Sequence, residues 1–284
     1  MLQPSISDRS FQYGDGLFTT IRVHCGQLLL WPYHWQRLAA SLHRLGMASV
    51  DEQWLKQYAQ QQITAPEQVL KIVVSRGQGG RGYSPAGFSQ ANCYVSTSPL
   101  PDYRPQQQQG IHLGIAQLQL GIQPLLAGMK HTSRLETVLL KAEVERRQED
   151  DLLCCDHSGL VTELSAANVF FYLDGGWHTP KLHQAGVAGV TRQWLLDQLQ
   201  IIPGCYTLTD VRQSQSMLAT NALMGVVPVR QFESRTLDLQ PVRALQQDFY
   251  NIMKQEQILS VAAMSESDYF SRDTHQAEQQ IQRM

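Results

Sequence analysis

The chain has 284 residues, 43% of them hydrophobic, and a formal net charge of -2 at pH 7. This length suits one large or two modest domains, and the apolar fraction is high enough to bury a substantial core. The net charge is close to zero and the basic residues are scattered, so the composition does not indicate a nucleic-acid or membrane-surface partner. We therefore expect a small molecule as the partner.

The five cysteines show neither disulfide nor metal-binding spacing. Cys154 and Cys155 are adjacent in a predicted strand, and no Cys-x-x-Cys pair occurs. No apolar run reaches membrane-spanning length, and the N-terminus lacks the basic and apolar regions of a signal peptide. These patterns predict reduced thiols, no metal site and a cytoplasmic location.

Residues 1–104 are predicted to form a small α/β domain. Alternating apolar residues and the Cys25-Gly26 dipeptide indicate a β-hairpin, and apolar residues at helical spacing indicate two helices. The predicted elements are a hairpin over 17–30, a helix from Pro32 to Gly46, a helix around Trp54, Leu55 and Tyr58, and strands over 69–75 and 92–97.

A Pro- and Gln-rich segment over 105–110 is the predicted linker, and residues 111–284 form the predicted larger domain. Strands alternate with helices there, which favours mixed α/β or α+β layers. The tail after about Leu259 is rich in Gln, Glu, Ser and Asp, as in a solvated helix or a disordered segment. The predicted elements of the larger domain are strands over 111–118, 152–156, 160–163 and 168–173, and helices over 135–142 and 191–199.

Three features of the larger region together indicate a site for pyridoxal 5'-phosphate. Lys130 follows an apolar stretch with a glycine, which favours a desolvated amine that can form a Schiff base. Glu163 ends an alternating strand, where a carboxylate could keep the pyridine nitrogen of the cofactor protonated. Residues 186–191 run into a helix whose first N–H groups, with the Thr191 hydroxyl, suit a phosphate dianion.

The sequence segments around Lys130, Glu163 and Thr191 resemble those of a known family. Over about residues 7–228 the chain resembles the fold-type IV pyridoxal phosphate enzymes, which implies a two-domain mixed α/β fold. The glycine-rich stretch over 75–84 is similar to that of the aminodeoxychorismate lyases rather than the aminotransferases of this group.

The resemblance also implies further ligands for the phosphate. Arg37 matches the family's phosphate arginine, and Val190 joins Thr191 at the helix entrance. Asn221 lies where related aminotransferases present a hydroxyl to the phosphate, but this chain has Ala222 at the aligned position. The Asn221 amide or neighbouring backbone N–H groups are the expected substitutes.

Arginines are the candidates for binding a substrate with carboxylates, because a guanidinium can bind a carboxylate bidentately. Arg76 and Arg81 lie in the glycine-rich stretch, and Arg22 on the hairpin competes for the same role. Thr19 and Thr20 fall on opposite faces of their strand, so only one can face a site. The resemblance favours Thr20, as a catalytic proton relay.

The implied reaction is conversion of 4-amino-4-deoxychorismate to p-aminobenzoate and pyruvate, a step of folate biosynthesis. The implied assembly is a homodimer with the site near the subunit interface. Three alternatives stay open at this point: a D-amino-acid or branched-chain aminotransferase on the same scaffold, a non-catalytic protein that binds pyridoxal phosphate, and a plain interaction protein.

Overall fold

The computed structural model describes residues 4–79, 82–88 and 90–251. The chain divides into two compact units, residues 1–244 and 245–284. The described part of the second unit, residues 245–251, is helical. The tail after Leu259, for which the sequence left two possibilities open, lies outside the described residues. Within the described part of the chain, none of the helices has the length and apolar character needed to cross a membrane.

The first sheet is built from the predicted hairpin and two further strands. Its elements, with their helices, are α1 (Arg9–Tyr13), β1 (Gly16–His24), β2 (Gln27–Leu28), α2 (Trp31–Arg44), α3 (Glu52–Gln61), β3 (Gln68–Ser75) and β4 (Asn92–Ser98). The strands are antiparallel in the order β2-β1-β3-β4. Cys25 and Gly26 form the hairpin turn with φ of 48° and 77°, as a tight hairpin turn requires.

The core of this sheet lies between its strands and α2 and α3. Ile21 and Ile72 are fully buried there against Leu38 and Leu55. Met129, which comes from a later loop, packs into the same cluster. Each such side chain contributes about 1.5–3 kcal/mol through burial, so the core also fixes the loop that carries Met129.

The second sheet contains the remaining strands. Its elements are β5 (Ile111–Ile115), α5 (Leu135–Glu145), β6 (Asp151–Cys155), β7 (Val161–Leu164), β8 (Asn168–Leu173), β9 (Gly176–Pro180), α6 (Val190–Gln198), β10 (Ile201–Gly204), α7 (Leu208–Val211), β11 (Ser216–Asn221), β12 (Gly225–Phe232) and β13 (Arg235–Thr236). The strand order is β10-β9-β8-β11-β12-β5-β6-β7, with β13 beside β12. Parallel and antiparallel pairs both occur, which confirms the mixed α/β class.

The segment predicted as a linker is a short helix, α4 (Arg104–Gln109). Pro105 stands in its first turn, where a proline costs no hydrogen bond, and Gly110 leaves the helix with φ of 78°. None of the α4 residues is buried. The first sheet precedes this helix in the sequence and the second follows it, and the boundary at 105–110 stays a prediction.

Arg76 follows β3, and its contacts differ from those expected of a substrate ligand. Its guanidinium donates to Asp15 at 2.8 Å and to the carbonyls of Leu45 and Gly46 at 2.9 and 3.0 Å. The side chain is only 6% exposed. Arg9 donates to the same Asp15 carboxylate at 2.8 Å. The structure therefore assigns Arg76 to a buried ion-pair network that joins α1, the end of α2 and β3, in place of a substrate contact.

Substituting Arg76 by glutamine should destabilise the protein by about 3 kcal/mol at neutral pH, because it leaves a partly buried charge with one partner fewer. Burial alone would raise the pKa of Asp15, but hydrogen bonds from Arg76 and Arg9 outweigh it and lower that pKa. The ion-pair contribution is thus present above the ordinary pKa of the carboxyl group and is lost as pH falls through the lowered one.

Urea unfolding of wild type and Arg76→Gln at neutral and acid pH measures this effect. The difference between the two should shrink in acid. Arg104→Gln, which removes an exposed ion pair with Asp102, is the matched control and should leave the unfolding free energy unchanged. An Arg76 variant as stable as the wild type at neutral pH would contradict the structural role.

Candidate active site

Lys130 lies on the loop before α5, between strands β5 and β6 of the second sheet in the sequence. Its neighbour Met129 is 1% exposed in the core of the first sheet, and its own carbonyl accepts the Phe18 N–H at 2.9 Å. The loop is therefore fixed on both sides of the lysine side chain. The Lys130 amine lies 4.5 Å from the centroid of the Phe18 ring.

Burial lowers the pKa of Lys130 from 10.5 to about 8, and the cations Arg37, Arg134 and Lys71 act in the same direction. Glu163 opposes them. An amine with this pKa is partly neutral near neutral pH, and only the neutral amine is a nucleophile or a base. The predicted environment of Lys130 is therefore present.

Arg134 is a residue that the sequence reasoning missed. Its guanidinium donates to the carbonyl of Met129 at 2.6 Å and to that of His131 at 2.9 Å. These two carbonyls flank Lys130, so Arg134 closes the loop around the lysine. In the sequence alone it is one arginine next to a helix, and no pattern distinguishes it from a solvated residue.

Glu163 lies on β7 and faces the same region. Its Oε2 accepts the Val187 N–H at 3.0 Å and the Asn168 amide at 3.4 Å. Burial raises the pKa of Glu163 from 4.5 to about 7, whereas the Val187 hydrogen bond and the cations Arg134, Lys130 and Arg192 oppose the rise. Its charge therefore depends on the cations around it.

The loop before α6 is held by Asn168. The Asn168 amide donates to Val187 O at 2.9 Å and accepts from Gly189 N at 3.1 Å. A Cβ atom added at Gly189 would lie 2.0 Å from the Asn168 oxygen, so this close approach requires glycine. The same loop pairs with the lysine loop through Gly128, whose N–H donates to Gly186 O at 2.9 Å.

The N-terminus of α6 has the features of an anion site. Gly189 caps the helix without a side-chain hydrogen bond, so the first N–H groups lack a side-chain acceptor at the cap. Thr191, in the first turn, is 1% exposed. Its hydroxyl has no hydrogen-bond partner among the described residues. Val190 and Thr191 thus lie at the helix N-terminus, where the sequence predicts that they bind a phosphate group.

Arg37 on α2 reaches the same loop. It donates to Ala188 O at 3.0 Å and to the Thr19 hydroxyl at 2.9 Å. Burial and the neighbouring Arg134 lower its pKa to about 10. Thr19 also contacts His34 at 2.5 Å, so its hydroxyl faces α2. Thr20 therefore points to the opposite face, the face of β1 that carries Phe18.

Two further cations lie on this face of the first sheet. Lys71 is paired with Thr20 in the strand register, and its amine lies 4.9 Å from the Phe18 centroid. Arg22 makes long contacts of 3.3 Å to Glu67 and 3.4 Å to Leu223 O. Lys71 was missed because it resembles an ordinary solvent-facing strand residue. Arg81 lies outside the described residues, and its substrate role stays a prediction.

Asn221 has a structural role that sequence did not indicate. Its amide donates to Ala166 O at 3.2 Å, and its oxygen accepts the N–H groups of Leu223 and Met224 at 3.0 and 2.9 Å. The side chain thus stabilises the turn between β11 and β12. These bonds occupy the amide that was expected to bind phosphate.

A cavity of about 180 Å³ adjoins the site. Glu163, Arg134 and His131 line one part of it, and Ile122 and Leu126 line another. Burial, together with the charge of Arg134, lowers the pKa of His131 to about 4, so this histidine is neutral at neutral pH. The polar and apolar walls suit a small organic molecule that carries charge.

The arrangement fits pyridoxal phosphate. Lys130 offers an amine of lowered pKa and Glu163 a buried carboxyl group. The α6 N-terminus offers the buried Thr191 hydroxyl, which has no partner among the described residues, and Arg37 binds the loop that leads into this helix. Each of these groups matches a different part of the cofactor: aldehyde, ring nitrogen and phosphate.

Comparison with known proteins agrees with this geometry. The family model described as amino-transferase class IV matches residues 16–232. The chain is 39% identical over 231 residues to the aminodeoxychorismate lyase of Vibrio harveyi, covering 79% of this chain and 85% of that protein. The 4-amino-4-deoxychorismate lyase of Pseudomonas aeruginosa has a TM-score of 0.83 at 32% identity, with 88% and 96% of the chains covered.

The branched-chain aminotransferase of Escherichia coli has a TM-score of 0.80 at 18% identity, with 88% and 89% of the chains covered. This likeness shows a shared fold alone. The resemblance seen in the sequence is thus confirmed, and the chain belongs to the class IV aminotransferase family.

Proposed function

We propose that the protein is a pyridoxal phosphate-dependent lyase that converts 4-amino-4-deoxychorismate to p-aminobenzoate and pyruvate. The observation that carries this proposal is the 39% identity to the Vibrio harveyi lyase over most of both chains. The aminotransferase likeness at 18% identity extends to the fold only. The reaction places the protein in folate biosynthesis, and we retain the expected cytoplasmic location as part of the proposal.

In this proposal each part of the cofactor is bound by particular residues of the chain. Lys130 would hold the aldehyde carbon and Glu163 the ring nitrogen, while Arg37, Val190 and Thr191 would hold the phosphate. Bound pyridoxal phosphate supplies an electron-withdrawing ring that stabilises negative charge on the substrate carbon next to the amine.

The chain supplies the proton transfers. The free Lys130 amine takes the proton from the ring carbon that bears the substrate amine, because its lowered pKa leaves it partly neutral. The bond from the substrate ring to the enolpyruvyl oxygen then breaks, and protonated Lys130 or the Thr20 hydroxyl delivers a proton to the leaving group. The products together contain all the atoms of the substrate, so the reaction needs no second substrate.

The cations on the Phe18 face of the first sheet would bind the substrate carboxylates. Lys71 and Arg22 lie on this face with Thr20, and Arg81 is a third predicted ligand. A cationic surface beside the amine also raises the local concentration of an anionic substrate.

The first test is to supply the purified protein with pyridoxal phosphate and 4-amino-4-deoxychorismate and to measure p-aminobenzoate and pyruvate together. The two products should appear in equal amounts without a keto acid. Lys130→Ala should abolish both products and the visible absorbance of the bound cofactor. Lys141→Ala, on the same stretch of chain, is the matched control and should retain activity.

A parallel reaction with D-alanine and 2-ketoglutarate tests the aminotransferase alternative. Amino transfer without p-aminobenzoate would replace the lyase by a transaminase. A protein that shows the visible absorbance of the bound cofactor but forms no product in either reaction would favour a non-catalytic binding protein. A colourless protein, or full activity of Lys130→Ala, would overturn the cofactor site.

Replacing Arg134 by methionine should raise the pKa of Lys130, because it removes one of the cations that lower that pKa. The apo protein should therefore capture pyridoxal phosphate through its neutral amine at a higher pH, with a midpoint shifted upward by on the order of 1 unit. Stopped-flow absorbance across neutral and alkaline pH measures the midpoint.

Arg134→Lys keeps the charge and should keep the midpoint. Arg146→Met removes an exposed cation at the residue that follows α5 and serves as the control. An unchanged midpoint in Arg134→Met would show that this arginine does not tune the lysine.

We also propose that the protein is a homodimer that uses an apolar surface formed by α5 and the loop before Lys130. Leu135, Val138 and Leu139 are 79%, 60% and 58% exposed, and Leu125 is 77% exposed. Residues at this spacing share one helix face, and a contiguous exposed apolar patch is typical of an interface. The loop residues Ile122 and Leu126 also line the cavity at Glu163, which would bring a second copy close to the site.

Leu139→Lys should weaken this dimer, because it places a charge in an apolar interface. Light scattering coupled to size exclusion should give the wild type about twice the chain mass of 32.1 kDa and the variant a single chain mass at low concentration. Trp54→Lys, at an exposed apolar residue of α3, is the control and should stay dimeric. A monomeric wild type would refute the assembly.

A further inference from the structure

Thr220 on β11 is a buried residue that has no part in the site described above. It is 1% exposed, and its hydroxyl has no hydrogen-bond partner among the described residues. Buried hydroxyl groups are nearly always hydrogen-bonded, because leaving one unsatisfied is costly. Thr191 has the same burial and also lacks a partner there. A buried hydroxyl without a protein partner can hydrogen-bond to a polar ligand or to a water molecule.

The strand register places Thr220 on the side of the phosphate loop. Thr220 lies directly opposite Asn168 of β8, and opposite residues of an antiparallel pair point to the same face. Asn168 binds the backbone of Val187 and Gly189 on that face. Thr220 therefore faces the loop that leads into α6, and α6 itself packs against β11.

The neighbours of Thr220 on β11 face the other way. Ala219 belongs to the apolar core of the second sheet, and Asn221 binds the Ala166 carbonyl. Alternation along the strand thus makes Thr220 the hydroxyl of this strand end that is available on the α6 side. Ala222, in the following turn, has no polar side-chain atom.

We propose that the Thr220 hydroxyl is a ligand of the cofactor phosphate, opposite Thr191, an inference that rests on the proposed function. The two threonines would approach the phosphate from a strand and from a helix N-terminus. A hydroxyl can donate to a phosphate oxygen without adding charge, which suits a region that already contains Arg37. Thr220 would then supply from β11 the hydroxyl that Ala222 does not.

Thr220→Val, which replaces the hydroxyl by a methyl group of similar size, tests this role. The dissociation constant for pyridoxal phosphate should rise about tenfold, because a hydrogen bond to a charged group is lost. The affinity for pyridoxal, which lacks the phosphate, should stay within about twofold of wild type. Visible absorbance titration of the apo proteins measures both. Urea unfolding of the apo variant should show equal or greater stability, since an unsatisfied hydroxyl is removed.

Two matched variants separate the phosphate contact from packing. Thr220→Ser keeps the hydroxyl and should restore the affinity for pyridoxal phosphate. Thr179→Val removes a buried hydroxyl that already donates to Val169 O at 2.9 Å, and it should lower stability without selective loss of pyridoxal phosphate.

An equal loss of affinity for both compounds would assign Thr220 to packing or to the cofactor ring, and an unchanged affinity for pyridoxal phosphate would show no contact at all; either result overturns the proposal. A wild-type protein that gives no absorbance with pyridoxal phosphate would overturn the proposed function, and the Thr220 role with it. That outcome is distinct, because it appears before any variant is compared.

Discussion

Burial of the Lys130 amine costs hydration energy, and this cost determines how the rest of the site is arranged. The charges of Arg37, Arg134 and Lys71 disfavour the charged form of the amine, while Glu163 favours it. For a buried lysine, losing a proton costs less free energy than keeping the charge away from water. The surroundings thereby keep the amine partly neutral near neutral pH.

The same cations leave the site with more positive than negative charge among the described groups. A buried charge is stable only when it is paired, and the hydrogen-bond partners of Arg37 among the described residues are neutral, the Ala188 carbonyl and the Thr19 hydroxyl. A phosphate dianion at the α6 N-terminus would compensate this charge. The site therefore favours an anionic cofactor on electrostatic grounds, in addition to the shape of the loop.

The loop that carries Lys130 and the loop that leads into α6 are connected through glycine. Gly128 N donates to Gly186 O, and Ala188 N donates to Gly128 O at 3.0 Å, so the lysine loop and the phosphate loop form a short backbone ladder. Gly128 and Gly186 have φ of 81° and 83°, values that a residue with a Cβ rarely adopts. Each loop thus fixes the position of the other through backbone hydrogen bonds.

Local patterns were enough to predict the hairpin, most strands, and the positions of Lys130, Glu163 and the α6 N-terminus. These features depend on residues that are close in the sequence. The role of Arg76 could not be predicted, because its partner Asp15 is far away in the sequence and a glycine-rich stretch with arginines resembles a flexible binding loop. Likewise alternation predicted that Thr19 and Thr20 lie on opposite faces of β1, but only the hydrogen bonds of Thr19 to His34 and Arg37 show that Thr19 is the one that faces α2.

Arg134 and Thr220 show a second limit of sequence reasoning. Arg134 acts on backbone carbonyls, which any sequence provides, so no residue type marks its partners. Thr220 stands out because its buried hydroxyl has no hydrogen-bond partner among the described residues. This can be seen only when the strand register and the burial are known. Asn221 shows the opposite situation, because its side chain already makes hydrogen bonds within the turn between β11 and β12.

The pKa of Lys130 also bears on the kind of reaction. In a lyase one amine must first take a proton from the substrate and then return one as the product leaves, so both forms of the amine must be accessible near neutral pH. A pKa of about 8 meets this condition, whereas an ordinary lysine would be almost entirely charged and a fully neutral one would be a poor acid. Burial is the largest cause of this value and the cations add to it, so the fold itself keeps both forms of the amine accessible near neutral pH.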